Sequence, residues 1–596
     1  MADILADETG IYPALDQFLE MKYPSTLTNG PWMLTPRNPI FFLDRHISPF
    51  LSLKSIKPFG FSVARYLCEL CDEEITDFVR REGPLLAGGL FYPMQPPQRQ
   101  LRDAFDVLDY YVEHVADLAT RFPSKFYFHP TDPDWNALYF LPRWIYEHGL
   151  DRFNTPTSLR AISNHQFAEI TLPPDEEMLS QLRALQDLKN LAIYEMFDME
   201  ASGMIQKMEP IPLFDWEMTK ATKYNSANLT PVESLPDAST GLVAKIEIAS
   251  RSVKAQSKRK PPKAPIPSSK RVKKEAPNNG SVYIAPRRGE RQKPYDPKGT
   301  HFLQHAWTRA VESDATFLVF HCGKYERIGI RHRETQTLYL SELIDPSTQE
   351  CYGKMQVGLQ LAIIKDLLDR QAADREKKKV PSKRKRNAET DVKESVGNKK
   401  RRKDLEDRVV VDSNPSSDVV ENLLASRHVA LMRIHFGGYQ SPAPSSFLRV
   451  GSSCAPSVAN MPFKEPKGNT TYLASDYFTI TLTEQISRGA VGTIYKASAL
   501  FRLGSKTVEY SRLVVKMAFS EKRQEGLAHE YEIYQHLARV KCTENILPVH
   551  GLFRDAETGA LALVMDIGGI NLISREIQRG GDSSYTQEER CVLHLR

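Results

Sequence analysis

The sequence predicts a multi-domain α+β protein: an N-terminal α/β region, disordered basic linkers, and a C-terminal lobe of antiparallel sheet with one main helix. Three observations predict it. At 596 residues the chain exceeds what one hydrophobic core serves, and domain-size statistics favour about three to five units. Lys and Arg concentrate in two stretches, so the net charge of +5 hides an otherwise balanced chain. Between those stretches, helical and strand periodicities recur in segments of ordinary element length. The resulting units are an N-terminal globular α/β region of unknown role (1–245), a basic linker (246–298), a small α/β unit that can pack on the first (299–374), a basic and then Ser- and Pro-rich linker (375–471), and the C-terminal lobe (472–596).

Composition narrows the classes. With 41% hydrophobic and 26% charged residues, and no apolar run near the roughly 20 residues a bilayer crossing needs, no membrane partner is expected. The N-terminus MADILADETGIYPALDQF has acidic residues where a secretory signal carries basic ones, so an intracellular protein is expected. Of seven cysteines only Cys68 and Cys71 sit at CxxC spacing, in LCELC without a second pair, which predicts reduced thiols and no metal site.

Within 1–245, Leu101, Phe105, Leu108, Val112, Val115, Leu118 and Phe122 recur at helical spacing, and Pro123 is expected to end that helix. A second helix is predicted from the Pro173-Pro174-Asp175 start through Leu179, Leu182, Leu185 and Leu188 towards Phe197. The aromatic stretch between them reads as core. From Ile246 to Lys298 the chain is polar, basic and proline-rich and cannot bury enough apolar surface to fold. Beyond Gly299, AWTRAVESDA reads as helix, FLVFHC, RIGIRHR and TLYLSELI as strands, and GLQLAIIKDLLDR as an amphipathic helix. His129 and His321 lack neighbours at metal-ligand spacing.

The basic strings are each two-part. Lys258, Arg259 and Lys260 precede Arg271, Lys273 and Lys274; Lys383, Arg384, Lys385 and Arg386 precede Lys399, Lys400, Arg401, Arg402 and Lys403. They resemble the bipartite nuclear localisation signal, which implies an import receptor as partner and a nuclear or nucleo-cytoplasmic protein. The plain alternative is a solvated linker. A basic nucleic-acid-binding protein is a weaker reading, since such runs contact phosphates without reading bases.

In the lobe, DYFTITLTEQISRGAVGTIYKASAL places Gly489 and Gly492 between two strands, where a missing Cβ lets backbone approach a phosphate. In SRLVVKMAF, Lys516 shares a strand face with Val514 and Ala518. In the next helix Leu527, Glu530, Tyr534 and Leu537 share a face, which turns Glu530 inward and Glu532 outward. An inward Glu and an inward Lys can neutralise each other and leave the ammonium poised for phosphate oxygens. Taken singly, these features also fit an ordinary hairpin turn, an edge-strand Lys and a surface Glu.

In this order they resemble the N-lobe of the protein-kinase-like superfamily, followed by the start of its second lobe. The resemblance implies ATP as ligand, Ile486 and Ile494 sandwiching the adenine ring, the loop from Ser487 to Gly492 over the phosphates, Met565 as gatekeeper, and the backbone of Asp566 and Gly568 at the adenine edge. It departs from the family at Ser487, where the first loop glycine is expected, and at Val514, where a smaller residue is usual. After SYTQEERCVLHLR there is no His-Arg-Asp loop and no Asp-Phe-Gly site, so no catalytic or metal-binding residue is expected within the chain as given. Phosphotransfer to a protein substrate's Ser or Thr, with Mg²⁺, is implied only for a full kinase domain. The rival is a nuclear pseudokinase-type scaffold that binds a protein partner.

Overall fold

The computed structural model describes residues 8–23, 40–86, 99–128, 143–146, 153–160, 190–219, 241–246, 298–379, 417–441, 443–458, 472–503, 506–542 and 546–568, with a few isolated positions between them. Both basic strings and the residues beyond 568 lie outside this set. The described chain is mixed α+β, built on two sheets.

Seven strands make the first sheet. They are β1 (Ser55–Pro58), β2 (Arg143–Tyr146), β3 (Asn154–Arg160), β4 (Ala192–Phe197), β5 (Phe317–His321), β6 (Glu326–His332) and β7 (Thr337–Leu340), in the spatial order β1-β7-β6-β5-β4-β3-β2. The pairs β1–β7 and β4–β5 are parallel and the others antiparallel. Strands from both sides of the 247–297 stretch therefore share one sheet. Strands β3 to β7 are buried on both faces, because alternate side chains enter different cores. Tyr194, Met196, Phe317 and Val319 face a helical layer formed by α1 (Pro13–Leu19), α2 (Val63–Glu82), α3 (Ala104–Tyr111), α4 (Asp117–Phe128) and α6 (Tyr352–Lys379). Ile193, Phe197, Leu318 and Phe320 face α5 (Gly299–Ser313) and the second sheet.

That second sheet closes on itself. Its strands are β8 (Val429–Phe436), β9 (Tyr439–Gln440), β10 (Ser445–Arg449), β11 (Tyr477–Arg488), β12 (Thr493–Leu503), β13 (Lys506–Ala518), β14 (Val549–Asp555) and β15 (Leu561–Asp566). Because β8 pairs with β11 in parallel and with β10 antiparallel, seven strands form a barrel, with β9 as an added edge. Closure removes the open edges that a sheet otherwise exposes. Arg449, buried in the seam, donates to the carbonyls of Arg427 (2.7 Å), His550 (2.8 Å) and Leu424, and its guanidinium lies 4.5 Å from the centre of the Phe553 ring. Burial holds it down to about 10.

Residues 40–53 join the two bodies. The His46 ring spans Ser441 Oγ (2.7 Å) and Ser445 Oγ (3.0 Å), Arg45 pairs with Glu557, and Phe42 packs on Phe447 and Phe519.

Several expectations are corrected. The linker expected over 375–471 holds α7 (Ser417–Ser426) and β8 to β10, and α6 runs past 374. Its Ser-rich composition lines a joint, where Ser441 and Ser445 are buried against His46. The helix expected to run towards Phe197 gives way to β4, whose AIYEMF run is buried at every position. Pro123 does not end its helix: a π turn over Val112–Ala116 leads into α4, which carries Pro123 inside it, and burial of Phe122, Phe126 and Phe128 outweighs the lost hydrogen bond. The helix read as amphipathic at GLQLAIIKDLLDR is enclosed on nearly all sides, since α1, α2 and α4 all pack on it. Within 472–596 the strands β11 to β15 pair antiparallel as expected, but β8 and β10, from the stretch read as linker, close them into a barrel, with β8 parallel to β11.

Helix α6 approaches its neighbours at backbone distance. A Cβ on Gly358 would fall 2.0 Å from the Leu67 carbonyl oxygen, and backbone cannot step aside. Gly358→Ala is therefore expected to cost roughly 1–3 kcal/mol or more, whereas Gly203→Ala, whose Cβ meets nothing, should stay within about 0.5 kcal/mol. Urea unfolding of the two variants checks this.

Burial, helped by the neighbouring Arg45 charge, pushes His46 down to about 3. Its folded value lies below the unfolded one, so the stability it contributes is complete above about pH 6.5 and is lost as pH falls towards 3. The expected result is a steeper acid loss of unfolding free energy in the wild type than in His46→Gln across that window. Other titrating groups are common to both proteins, so the difference isolates this ring.

Candidate functional site

Strand β13 has two unlike faces. Leu513, Val515 and Met517 point into the barrel core, while Val514, Lys516 and Ala518 alternate outward, where Val514 and Ala518 pack with Leu527 and Tyr531 of α8 (Glu521–Arg539). Inside the barrel an ammonium would meet only apolar side chains. Outside, Lys516 Nζ lies 2.6 Å from Glu530 Oε2, with 17% and 23% of the two side chains exposed. Glu532, 70% exposed, faces solvent. Helix α8 is oriented for this by apolar anchors and a favourable charge order, Glu521 in its first turn and His536 and Arg539 in its last.

Around the pair the register fixes the neighbours. Lys516 stands between Ile494 and Leu563, and Val514 beside Met565, which also pairs with Val549. Ile494, Lys516, Glu530 and Met565 thus gather on one outer face. Ile486 does not join them: it occupies a bulge between Gln485 and Ser487 and is 46% exposed. Ser487 pairs with Ile494, Arg488 with Thr493, and the turn between them closes with Gly489 N–H donating to the Gly492 carbonyl at 2.8 Å.

Gly492 is pressed against β13. A Cβ there would lie 2.6 Å from the Met517 carbonyl oxygen and 3.4 Å from Lys516 Cγ. The hairpin can cross the root of Lys516 only because that atom is missing. A Cβ on Gly489, by contrast, would meet only the Gly492 carbonyl oxygen, at an unstrained 3.8 Å.

At the other end of the face, the Asp566 carboxylate accepts from His550 Nε2 (2.8 Å) and Tyr510 Oη (3.0 Å), and its N–H donates to the Pro548 carbonyl. Gly568 lies against Leu547. The Asp566 amide is thus engaged within the fold and not available to a ligand edge.

A cleft of about 110 Å³ lies elsewhere, between α5, residues 41–44 and the barrel mouth beside the hairpin. It touches neither Lys516, Glu530 nor Met565. Its wall includes Thr493 and Tyr495 of β12 and the Asp44–His305 pair, Nδ1 to Oδ2 2.8 Å. Sequence reading passed over these residues because the walls come from separated segments, and no spacing rule links His305 to Arg488 or Arg523. His321, read as a core or surface residue, is buried against Glu326 at 3.0 Å. Among the described residues no cluster of His, Cys, Asp or Glu is arranged to hold a metal ion, and no helix is long and apolar enough to cross a membrane.

Comparison with protein-family models, with curated proteins and with solved structures finds no match to this chain.

The two glycines are expected to separate on substitution. Gly492→Ala should cost roughly 1–3 kcal/mol through its backbone clash, and Gly489→Ala less than about 0.5 kcal/mol. Chemical unfolding of both variants reads the difference; equal midpoints would refute a close hairpin-to-strand approach.

Proposed function

We propose that residues 477–568 form the ATP-cradling lobe of a protein-kinase-like domain. The observation that carries this reading is the 2.6 Å Lys516–Glu530 pair, strand to helix, beneath a hairpin whose Gly492 leaves no room for a Cβ. The residues fit the ligand in part. Lys516 would engage phosphate oxygens, Glu530 would orient it, and Gly492 would let the hairpin approach, with Ile494 and Met565 as the apolar surface beside them. The hinge end fits less well, since the Asp566 N–H is already bonded and Ile486 stands out at a bulge. Bound ATP would supply the γ-phosphoryl group for transfer to a protein hydroxyl. The stretch 472–596 contains no His-Arg-Asp and no Asp-Phe-Gly sequence, so transfer and Mg²⁺ binding would draw on residues it does not hold. The basic strings at 258–274 and 383–403 extend the reading to a nuclear protein.

A second reading, a nuclear scaffold that binds a protein partner, draws on the closed barrel and its joint through His46 and Arg45, which make the lobe one piece with the α/β body. Thermal unfolding with and without Mg-ATP separates the two. A working cradle gives a concentration-dependent rise, about 2.7 kcal/mol at a hundred times Kd, that Lys516→Ala removes. The variant itself should unfold within about 1 kcal/mol of wild type, because the pair is partly exposed. A wild type indifferent to ATP supports the scaffold.

A further inference from the structure

The cleft at the barrel mouth lies on the opposite side of the β12–β13 ladder from Lys516, and its wall is unusual in charge. Thr493 and Tyr495 face it, whereas Ile494 between them faces α8. Two arginines, Arg488 at the base of the glycine hairpin and Arg523 in the first turn of α8, both line it. Neither has an ion-pair partner among the described residues. Burial, and then the nearby charge of Arg488, make Arg523 a weaker base than usual.

The remaining charges on the wall are accounted for. Arg309 pairs with the buried Glu195 and Asp44 pairs with His305, while burial and then the nearby Glu312 charge push the Tyr439 hydroxyl up. The two uncompensated guanidiniums thus stand against a single carboxylate.

A second, independent feature belongs to the same wall. His305 is 95% buried, its Nδ1 is held by Asp44, and its Nε2 is buried without a hydrogen-bond partner. An orphaned ring nitrogen in a dry wall costs stability unless a ligand or water meets it. Burial opposes a charged ring, but the Asp44 charge and hydrogen bond, with Glu195 beyond, outweigh it, so His305 keeps its proton above the usual imidazole range. In the charged ring Nε2 is a donor. Ser520, the N-cap of the 19-residue α8, also lines the cleft and makes no side-chain capping bond, so the positive end of the helix opens on the same spot.

We infer that this cleft binds a phosphate-bearing small molecule, with Arg488, Arg523 and His305 Nε2 as donors to the phosphoryl oxygens. Guanidinium pairs suit that group because each offers a planar fork of N–H donors. A volume of about 110 Å³ admits a phosphate with a short organic tail. The ligand would tie the hairpin to α8 and both to α5, joining the barrel to the α/β body from the side away from Lys516. The inference does not depend on ATP binding at that other face.

The test is isothermal titration of the full chain with inorganic phosphate and with glycerol phosphate, at constant ionic strength set by chloride. Saturable binding of at least one of them is expected, weakened at least tenfold in Arg488→Ala and in Arg523→Ala and unchanged in Arg65→Ala, an exposed cation of α2 outside the cleft. The arginines line an open cleft, so both variants should fold, which their unfolding curves check. The inference is overturned if neither probe binds, or if the arginine variants bind as the wild type does. Binding lost in Lys516→Ala but kept in the arginine variants would place the anion on the other face and overturn it equally.

Discussion

The constraint on which the C-terminal half depends is closure of the barrel by β8. Pairing with β11 on one side and β10 on the other gives every strand a face turned into the barrel and a face turned out of it. The inward face must be filled with apolar side chains, as Phe447, Phe478, Phe501 and Phe553 do. Any charged residue on β13 must therefore point outward, to the side on which α8 packs. The Lys516–Glu530 contact follows from this geometry, not from any strong attraction of its own, since a partly exposed pair adds on the order of 1 kcal/mol.

Buried charge recurs through the molecule in a consistent style. Arg309 reaches Glu195 as well as the Thr157 and Tyr194 carbonyls, Glu326 receives His321, Tyr352 and Gln356, and Asp314 gathers Arg331, Arg333 and Arg370. Such groups add little net stability compared with apolar packing, but each is costly to break once formed. They join elements distant in sequence, Tyr352 to Glu326 or Arg309 to Thr157, and so favour one arrangement of the layers over near alternatives.

What the sequence made legible was local. Alternation on SRLVVKMAF and helical spacing from Leu527 to Leu537 fixed which way Lys516 and Glu530 face, because both elements have one buried side and a regular period. The strands of 317–340, although buried on both faces, were readable because they are short apolar runs divided by turn residues. The strand at Ala192–Phe197 was not: buried on both faces, its apolar run carries no period to distinguish it from a helix. Residues 429–449 were hidden by composition, since their serines serve a buried histidine that lies some four hundred residues earlier, a pairing only the fold reveals. The cleft was hidden for a like reason, its wall being drawn from six separate segments.

The first sheet sets a timetable for its own assembly. Strand β1 is among the first parts of the chain to be made, yet its ladder partner in the sheet is β7, beginning at Thr337. At roughly 5–20 residues per second, synthesis leaves Ser55–Pro58 without that neighbour for tens of seconds, together with the helices that must later enclose α6. A nascent chain with so distant a closing contact folds late and depends on whatever shields its apolar surfaces in the meantime.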